Sequence, residues 1–176
     1  MSGLSVSLCL RGPFRVALAA ALVLVVTGTS SVDIRAQDPA LRWGKGAPFP
    51  EPEEELYGIA AGGKMYVIGG FGVNGKPATA MVYEYDADAD RWTKKKPIPV
   101  AVHHQAQAVF NGKIYLFGGC MRPLSGPGMN GWEPVDNAWE YDPAADAWRA
   151  LAPMPMKRCS AIAEEVGGKI YVIGGA

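Results

Sequence analysis

The residues that could do chemistry in this chain are few. Its only histidines are adjacent, His103 and His104. Imidazole can ligate a metal or carry a proton, but neighbours on an extended segment point to opposite sides. A shared metal ion is therefore not expected, no cofactor is assigned, and both histidines are read as ligand-binding candidates on a loop or channel rim. Arg158 could grip a carboxylate bidentately or lie solvated, and Arg122 presents the same alternatives. Trp132 could be a stacking platform or could pin its own loop. Glu164 and Glu165 resemble a general acid/base pair, but adjacent strand residues face apart, so a charged strand end is expected. "DADAD", Asp86 to Asp90, opens like a calcium loop, yet the sixth and twelfth positions are Arg91 and Pro97, where an EF-hand needs glycine and glutamate. That stretch is read as a turn. No catalytic constellation emerges, so the reading leans away from an enzyme.

Composition narrows the partners. The 176 residues carry a formal net charge of +0, with 49% hydrophobic residues and 22 glycines, which suits a β-rich globular protein. Balanced charge gives no pull toward nucleic acid, and "KKK", Lys94 to Lys96, reads as a solvated strand end. Residues 1–30 differ in kind: Arg11 and Arg15 precede the apolar run Val16 to Val26, which small residues follow. This is the pattern of a secretory signal peptide, cleaved near Ser30 or Ser31 or after Ala36, with a linker over residues 31–40. The apolar run is too short for the ~20 residues of a spanning helix. Contact with a membrane is expected only during export, and the mature chain is expected to be secreted or periplasmic. Cys9 departs with the signal. Cys120 and Cys159 remain in a disulfide-permissive setting, where a bridge is sterically conceivable although sequence does not fix their separation.

The elements that position these residues repeat. Trp43 to Gly69, Trp92 to Gly118 and Trp148 to Gly174 are each 26 residues apart, with prolines five and seven residues after each tryptophan. Lysine falls at plus 21 (Lys64, Lys113, Lys169) and tyrosine at plus 23 (Tyr66, Tyr115, Tyr171). A period of about 50 residues signals a solenoid or propeller. Each unit reads as four short strands: "QAQAVF", a turn "NG", "KIYLFGG", then after a loop "NAWEYD" and a strand around the next tryptophan. The strand "IYVIGG" is apolar at consecutive positions, which predicts burial on both faces.

With these features the chain resembles the kelch-repeat β-propellers. The resemblance rests on the double glycines Gly69-Gly70, Gly118-Gly119 and Gly174-Gly175, the pairs Tyr85-Asp86 and Tyr141-Asp142, and Trp92 and Trp148 seven residues after each tyrosine. It covers about residues 41–176 and implies an all-β propeller of four-stranded antiparallel blades, about two and a half of them here. Trp43 is expected in a lone fourth strand, as in the family's ring closure. Strand counting predicts the N-terminal part of a longer propeller, or a truncated gene product.

Blade topology puts the short, uniform turns at one end and the variable connections at the other. A binding face is expected on that variable end, from residues 71–79, 100–105, 120–137 and 156–160. The resemblance implies a scaffold for a protein or carbohydrate ligand, and the signal-peptide pattern implies that it is exported. The alternative is part of a carbohydrate-active kelch enzyme, similar to sialic acid mutarotases or galactose oxidase. The functional residues of such enzymes would lie mostly on blades absent from this chain, and none is carried over.

Overall fold

β-branched and aromatic residues before each double glycine favour strands, and the Gly-Gly and Asn-Gly dipeptides between them favour tight hairpins. The computed structural model describes residues 8–10, 42–72, 77–123 and 131–176. They belong to two units, Met1–Pro48 and Phe49–Ala176. In the first, β1 (Leu8–Leu10) pairs antiparallel with β2 (Trp43–Lys45). The Trp43 strand is thus paired with Leu8–Leu10 rather than standing alone as a fourth strand. The rest of the expected signal segment, and the expected linker over 31–40, lie outside the described residues. No helix among the described residues is long and apolar enough to cross a membrane.

The second unit holds β3 (Glu53–Glu54), β4 (Gly58–Ala61), β5 (Lys64–Ile68), β6 (Phe71–Gly72), β7 (Val82–Asp86) and β8 (Arg91–Lys94). There follow β9 (Ala106–Phe110), β10 (Lys113–Phe117), β11 (Cys120–Pro123), β12 (Trp132–Pro134), β13 (Ala138–Asp142), β14 (Ala147–Ala150), β15 (Ala161–Val166) and β16 (Lys169–Gly174). Two antiparallel four-stranded blades form in the orders β4-β5-β7-β8 and β9-β10-β13-β14, and β15-β16 make a hairpin. The first strands β4, β9 and β15 lie side by side, which makes them the inner strands. The first-to-second turns Gly62-Gly63, Asn111-Gly112 and Gly167-Gly168 have φ of 57 and 75, 50 and 73, and 62 and 80°, the double left-handed geometry that suits a twisted hairpin.

The repeated residue types are register partners. Tyr66 lies opposite Glu84 and Tyr115 opposite Glu140, and the phenols donate to those carboxylates at 2.5 and 3.0 Å. The plus-21 lysines pair with the Tyr-Asp carboxylates, Lys64 with Asp86 at 2.6 Å and Lys113 with Asp142 at 3.4 Å. Tyr85 faces Trp92 and Tyr141 faces Trp148, each pair with centroids 4.7 Å apart. Tyr85 and Tyr141 also donate to Asp90 and Asp146, five residues on, at 2.5 and 2.6 Å. These cross-strand contacts, about 0.2–1 kcal/mol each, give the repeat its register.

The core lies between the two blades. Tyr66, Ile68, Val82, Ile98 and Val102 pack with Ile114, Leu116, Val135 and Tyr141, and the Tyr66 and Tyr141 rings meet at 6.0 Å. Gln105 donates across this boundary to the Ile68 carbonyl at 2.6 Å, and Trp148 Nε1 donates to the Lys96 carbonyl at 3.0 Å. Burial on both faces holds for Tyr66, Val67 and Ile68. It fails in the third copy, where Tyr171 and Ile173 of β16 are 48% and 59% exposed. That strand carries the same apolar run, but no described sheet covers the hairpin's outer side.

Glu140 is the buried acid of the second blade, bound by Arg149 Nη2 at 2.5 Å, Lys113 at 3.0 Å and Tyr115 at 3.0 Å. The Arg149 guanidinium, helped by Lys113 and Tyr115 and opposed by burial, holds its carboxyl down at about 2. A depressed carboxyl stabilises the fold above its unfolded value of about 4.3, and that contribution is lost as pH falls through the folded value. Glu140→Gln is therefore expected to cost about 1–3 kcal/mol at neutral pH. The gap between its urea midpoint and that of wild type should close as pH falls from about 4 toward 2. A gap that stays constant over that range would contradict this role.

Candidate functional site

The two ends of the blades are built differently. At one end sit hairpins and aspartate-capped turns: Asp86 Oδ1 accepts the N–H groups of Asp88 and Ala89 at 3.0 and 3.1 Å, and Asp142 Oδ1 those of Ala144 and Ala145 at 3.0 and 3.3 Å. "DADAD" is accordingly a turn that satisfies its own backbone.

At the other end the variable connections are tied to one another. His103 and Cys120 exchange both backbone hydrogen bonds, at 3.0 and 2.8 Å. Gly119 N–H donates to Arg158 O, Arg158 N–H to Val135 O, and Val135 N–H to Gly119 O, at 2.8, 3.0 and 3.0 Å. Ser160 N–H donates to His104 O at 2.9 Å. Cys120 and Cys159 are joined by a disulfide with Cα atoms 5.4 Å apart, linking the loop that leaves β10 to the segment that enters β15. Backbones this close require the double glycines. A Cβ on Gly69 would lie 2.6 Å from Val102 O, and one on Gly118 would collide with Arg158 O, whereas one on Gly174 would meet nothing within 4 Å.

Within this end, Glu55, His104 and Ser160 share a conformation. Each stands twelve residues after its repeat's tryptophan, and their φ values are 54, 54 and 59°. Left-handed backbone is uncommon for such residues, so it is a property of the repeat's path into the inner strand. It corrects the expectation that the two histidines face apart, which assumed extended backbone. His103 Nδ1 and His104 Nδ1 lie 2.6 Å from each other, and each lies 3.2 Å from Glu55 Oε2. His103 is 2% exposed and stands edge-on to Trp132, with centroids 4.5 Å apart, while its ring is tilted against Phe71 at 5.1 Å. Tyr57 approaches the His104 ring at 5.8 Å. Burial, followed by the neighbouring His104, pushes the His103 imidazole below its ordinary value, against the pull of Glu55. His103 is thus favoured as neutral imidazole, an acceptor or ligand through its unprotonated nitrogen.

The structure brings together three of the candidate residues, His103, His104 and Trp132. Trp132 packs edge-on against Phe71 at 4.8 Å as well as against His103, so it pins its loop and walls the site at once. Arg122 is paired with Glu133 across the β11–β12 hairpin at 2.7 Å. Arg158 Nη1 donates to the Gly174 carbonyl, so its guanidinium is committed to backbone. Glu165 accepts the Gly168 N–H at 2.6 Å at a hairpin end, away from any acid/base geometry with Glu164. Glu55 and Tyr57 were not legible as site residues from their own sequence neighbourhoods, whereas Phe71 opens the 71–79 stretch expected on the binding face. The equivalence of Glu55 and His104 in the repeat register is the signal that could have found the first.

The kelch motif matches residues 59–99 and 108–155. The chain is similar to Kelch-like protein terF of Aspergillus terreus, 34% identical over 129 residues that cover 70% of this chain and 27% of that protein. Human Kelch-like protein 23 is 29% identical over 145 residues, covering 81% of this chain and 24% of that protein. The chain thus spans about a quarter of the length of these curated relatives. The solved structure of YjhT superimposes with a TM-score of 0.65 at 20% identity, covering 79% of this chain and 50% of that one, which is a likeness of fold alone. Blades of four antiparallel strands, double glycines where neighbouring backbones meet, and a motif match over both complete blades lead to one conclusion: the chain belongs to the kelch-repeat family.

Proposed function

We propose that this chain is an exported kelch-repeat propeller segment that binds a protein partner on the end carrying the variable connections. One observation carries the reading. Residues 100–105, 120–123, 131–137 and 156–160 are fastened into one surface by backbone bonds between connections and the Cys120–Cys159 disulfide, and Phe71 of the 71–79 connection packs against Trp132. The opposite end consists of short turns that satisfy themselves. Kelch propellers commonly serve as protein-binding scaffolds, and rigidly mounted variable loops are where binding concentrates. The signal-like residues 1–30 and the disulfide both support export.

The test uses the mature chain as immobilised bait for exported proteins and, in parallel, on a glycan array. Met156, 54% exposed, and Arg122 stand on the proposed face. Met156→Glu and Arg122→Glu are expected to weaken partner binding at least tenfold, about 1.4 kcal/mol. Asp88→Lys and Ala144→Glu, in the opposite turns, should leave it unchanged. The reverse dependence would contradict the proposal. Selective glycan binding without a protein partner would replace it with the carbohydrate reading.

A further inference from the structure

We propose that Glu55, His103 and His104 form a binding site for a first-row divalent transition-metal ion such as zinc. Their three donor atoms make a triangle with edges of 2.6, 3.2 and 3.2 Å. Metal bonds of about 2.0–2.2 Å to imidazole nitrogen and carboxylate oxygen place neighbouring donors about 3.0–3.5 Å apart in tetrahedral or octahedral geometry. The triangle therefore needs only a few tenths of an ångström of opening between the two rings to hold such an ion. Two imidazole nitrogens and one carboxylate oxygen also match the ligand preferences of zinc, cobalt, nickel and copper better than those of calcium or magnesium.

The site is built rather than incidental. His103 is nearly fully buried and wedged against Phe71 and Trp132, so its ring is held before any ion arrives. Its Nε2 has no hydrogen-bond partner among the described residues, and its Nδ1 faces the other two donors. His104 reaches the same point because its backbone is left-handed, as does that of Glu55, its counterpart in the preceding repeat. Without a cation, two ring nitrogens at 2.6 Å need a proton between them. A metal ion takes that proton's place, and the neutral ring that carried it holds its proton on Nε2 instead, so that both Nδ1 lone pairs face the ion. Glu55 and His104 are partly exposed, with side-chain accessibilities of 43% and 28%, so the ion enters from their side. Its remaining coordination positions take water or an oxygen donor from a ligand on this face. Because the ligands come from two successive repeats, the ion also links the entry segments of both blades.

The test titrates cobalt(II) into the mature, untagged chain, followed by its visible ligand-field bands, and then adds zinc(II) in competition. The expected result is one cobalt per chain, displaced by zinc. Glu55→Gln should weaken uptake at least tenfold. His104→Asn, which keeps tolerance of left-handed backbone and removes the ring, should abolish it. Asp88→Asn, in the turns at the opposite end, should bind as wild type does. Both informative substitutions fall at partly exposed side chains, and far-UV circular dichroism checks that the blades persist, so the test does not depend on replacing buried His103. Absence of stoichiometric uptake, or uptake that survives both substitutions, would overturn the site. Neither readout involves the protein partner, so this proposal and the scaffold reading fail separately.

Discussion

Gly118→Ala and Gly69→Ala are each expected to destabilise the fold by about 3 kcal/mol or more, while Gly174→Ala costs only about 1–2 kcal/mol. All three glycines have the same left-handed backbone, with φ of 61, 67 and 71°, so the conformational penalty for a side chain is common to them. What differs is the neighbour. At Gly69 the added Cβ would stand 2.6 Å from the Val102 carbonyl and 3.1 Å from Gln105 Nε2; at Gly118 it would run into the Arg158 carbonyl and come within 2.9 Å of Met154 Cε. Both carbonyls belong to backbone entering the next repeat, and backbone cannot rotate aside as a flexible side chain can. Overpacking of this kind typically costs about 1–3 kcal/mol beyond the φ penalty. Gly174 has open space around its Cβ direction. Denaturant midpoints of the three variants compare the sites directly. Equal losses would mean that the first glycine of each pair serves only its own backbone conformation and not the approach of the neighbouring blade.

Removing the disulfide should have an effect of similar size. Cys120 and Cys159 close a loop with a sequence separation of 39, for which the chain-entropy relation gives about 4 kcal/mol. Cys120→Ser with Cys159→Ser is therefore expected to lose about 3–4 kcal/mol of stability, with a corresponding fall in Tm. The double variant is preferable to a single one, which would leave a lone thiol beside a serine. Mass change on alkylation of the mature chain gives an independent check. No thiol should react without reductant and two should react with it. Two reactive thiols without reductant would contradict the bridge.

The fold was largely legible in the sequence because its determinants are local and recur. Asn111-Gly112 and its Gly-Gly counterparts specify hairpins within a few residues. The spacing of Lys64, Tyr66, Tyr85 and Trp92 is that of register partners on adjacent strands. The candidate site was less legible, for two physical reasons. Alternation of side chains on a strand is a sound rule only while φ stays extended, and the left-handed turn at His104 appears at residues of three unrelated types, Glu55, His104 and Ser160, none of them glycine. The third member of the cluster, Glu55, also lies 48 residues from His103, so no local pattern joins them. Arg158 shows a related limit. Its charge suggested a ligand, but the backbone carbonyl of Gly174 is nearer, and only the packed hairpin reveals it. The consecutive apolar positions of β16 predict burial on both faces; burial depends on what stands opposite, which a strand's own sequence does not contain.

The central claim is that the end carrying the variable connections is the binding face. A photocrosslinking residue placed at position 122, on that end, and at position 144, in the opposite turn, tests it most directly. With the exported partner fraction present, the account predicts a discrete covalent adduct from position 122 and none from position 144. Adducts formed from position 144 alone would place recognition on the turns and contradict the account.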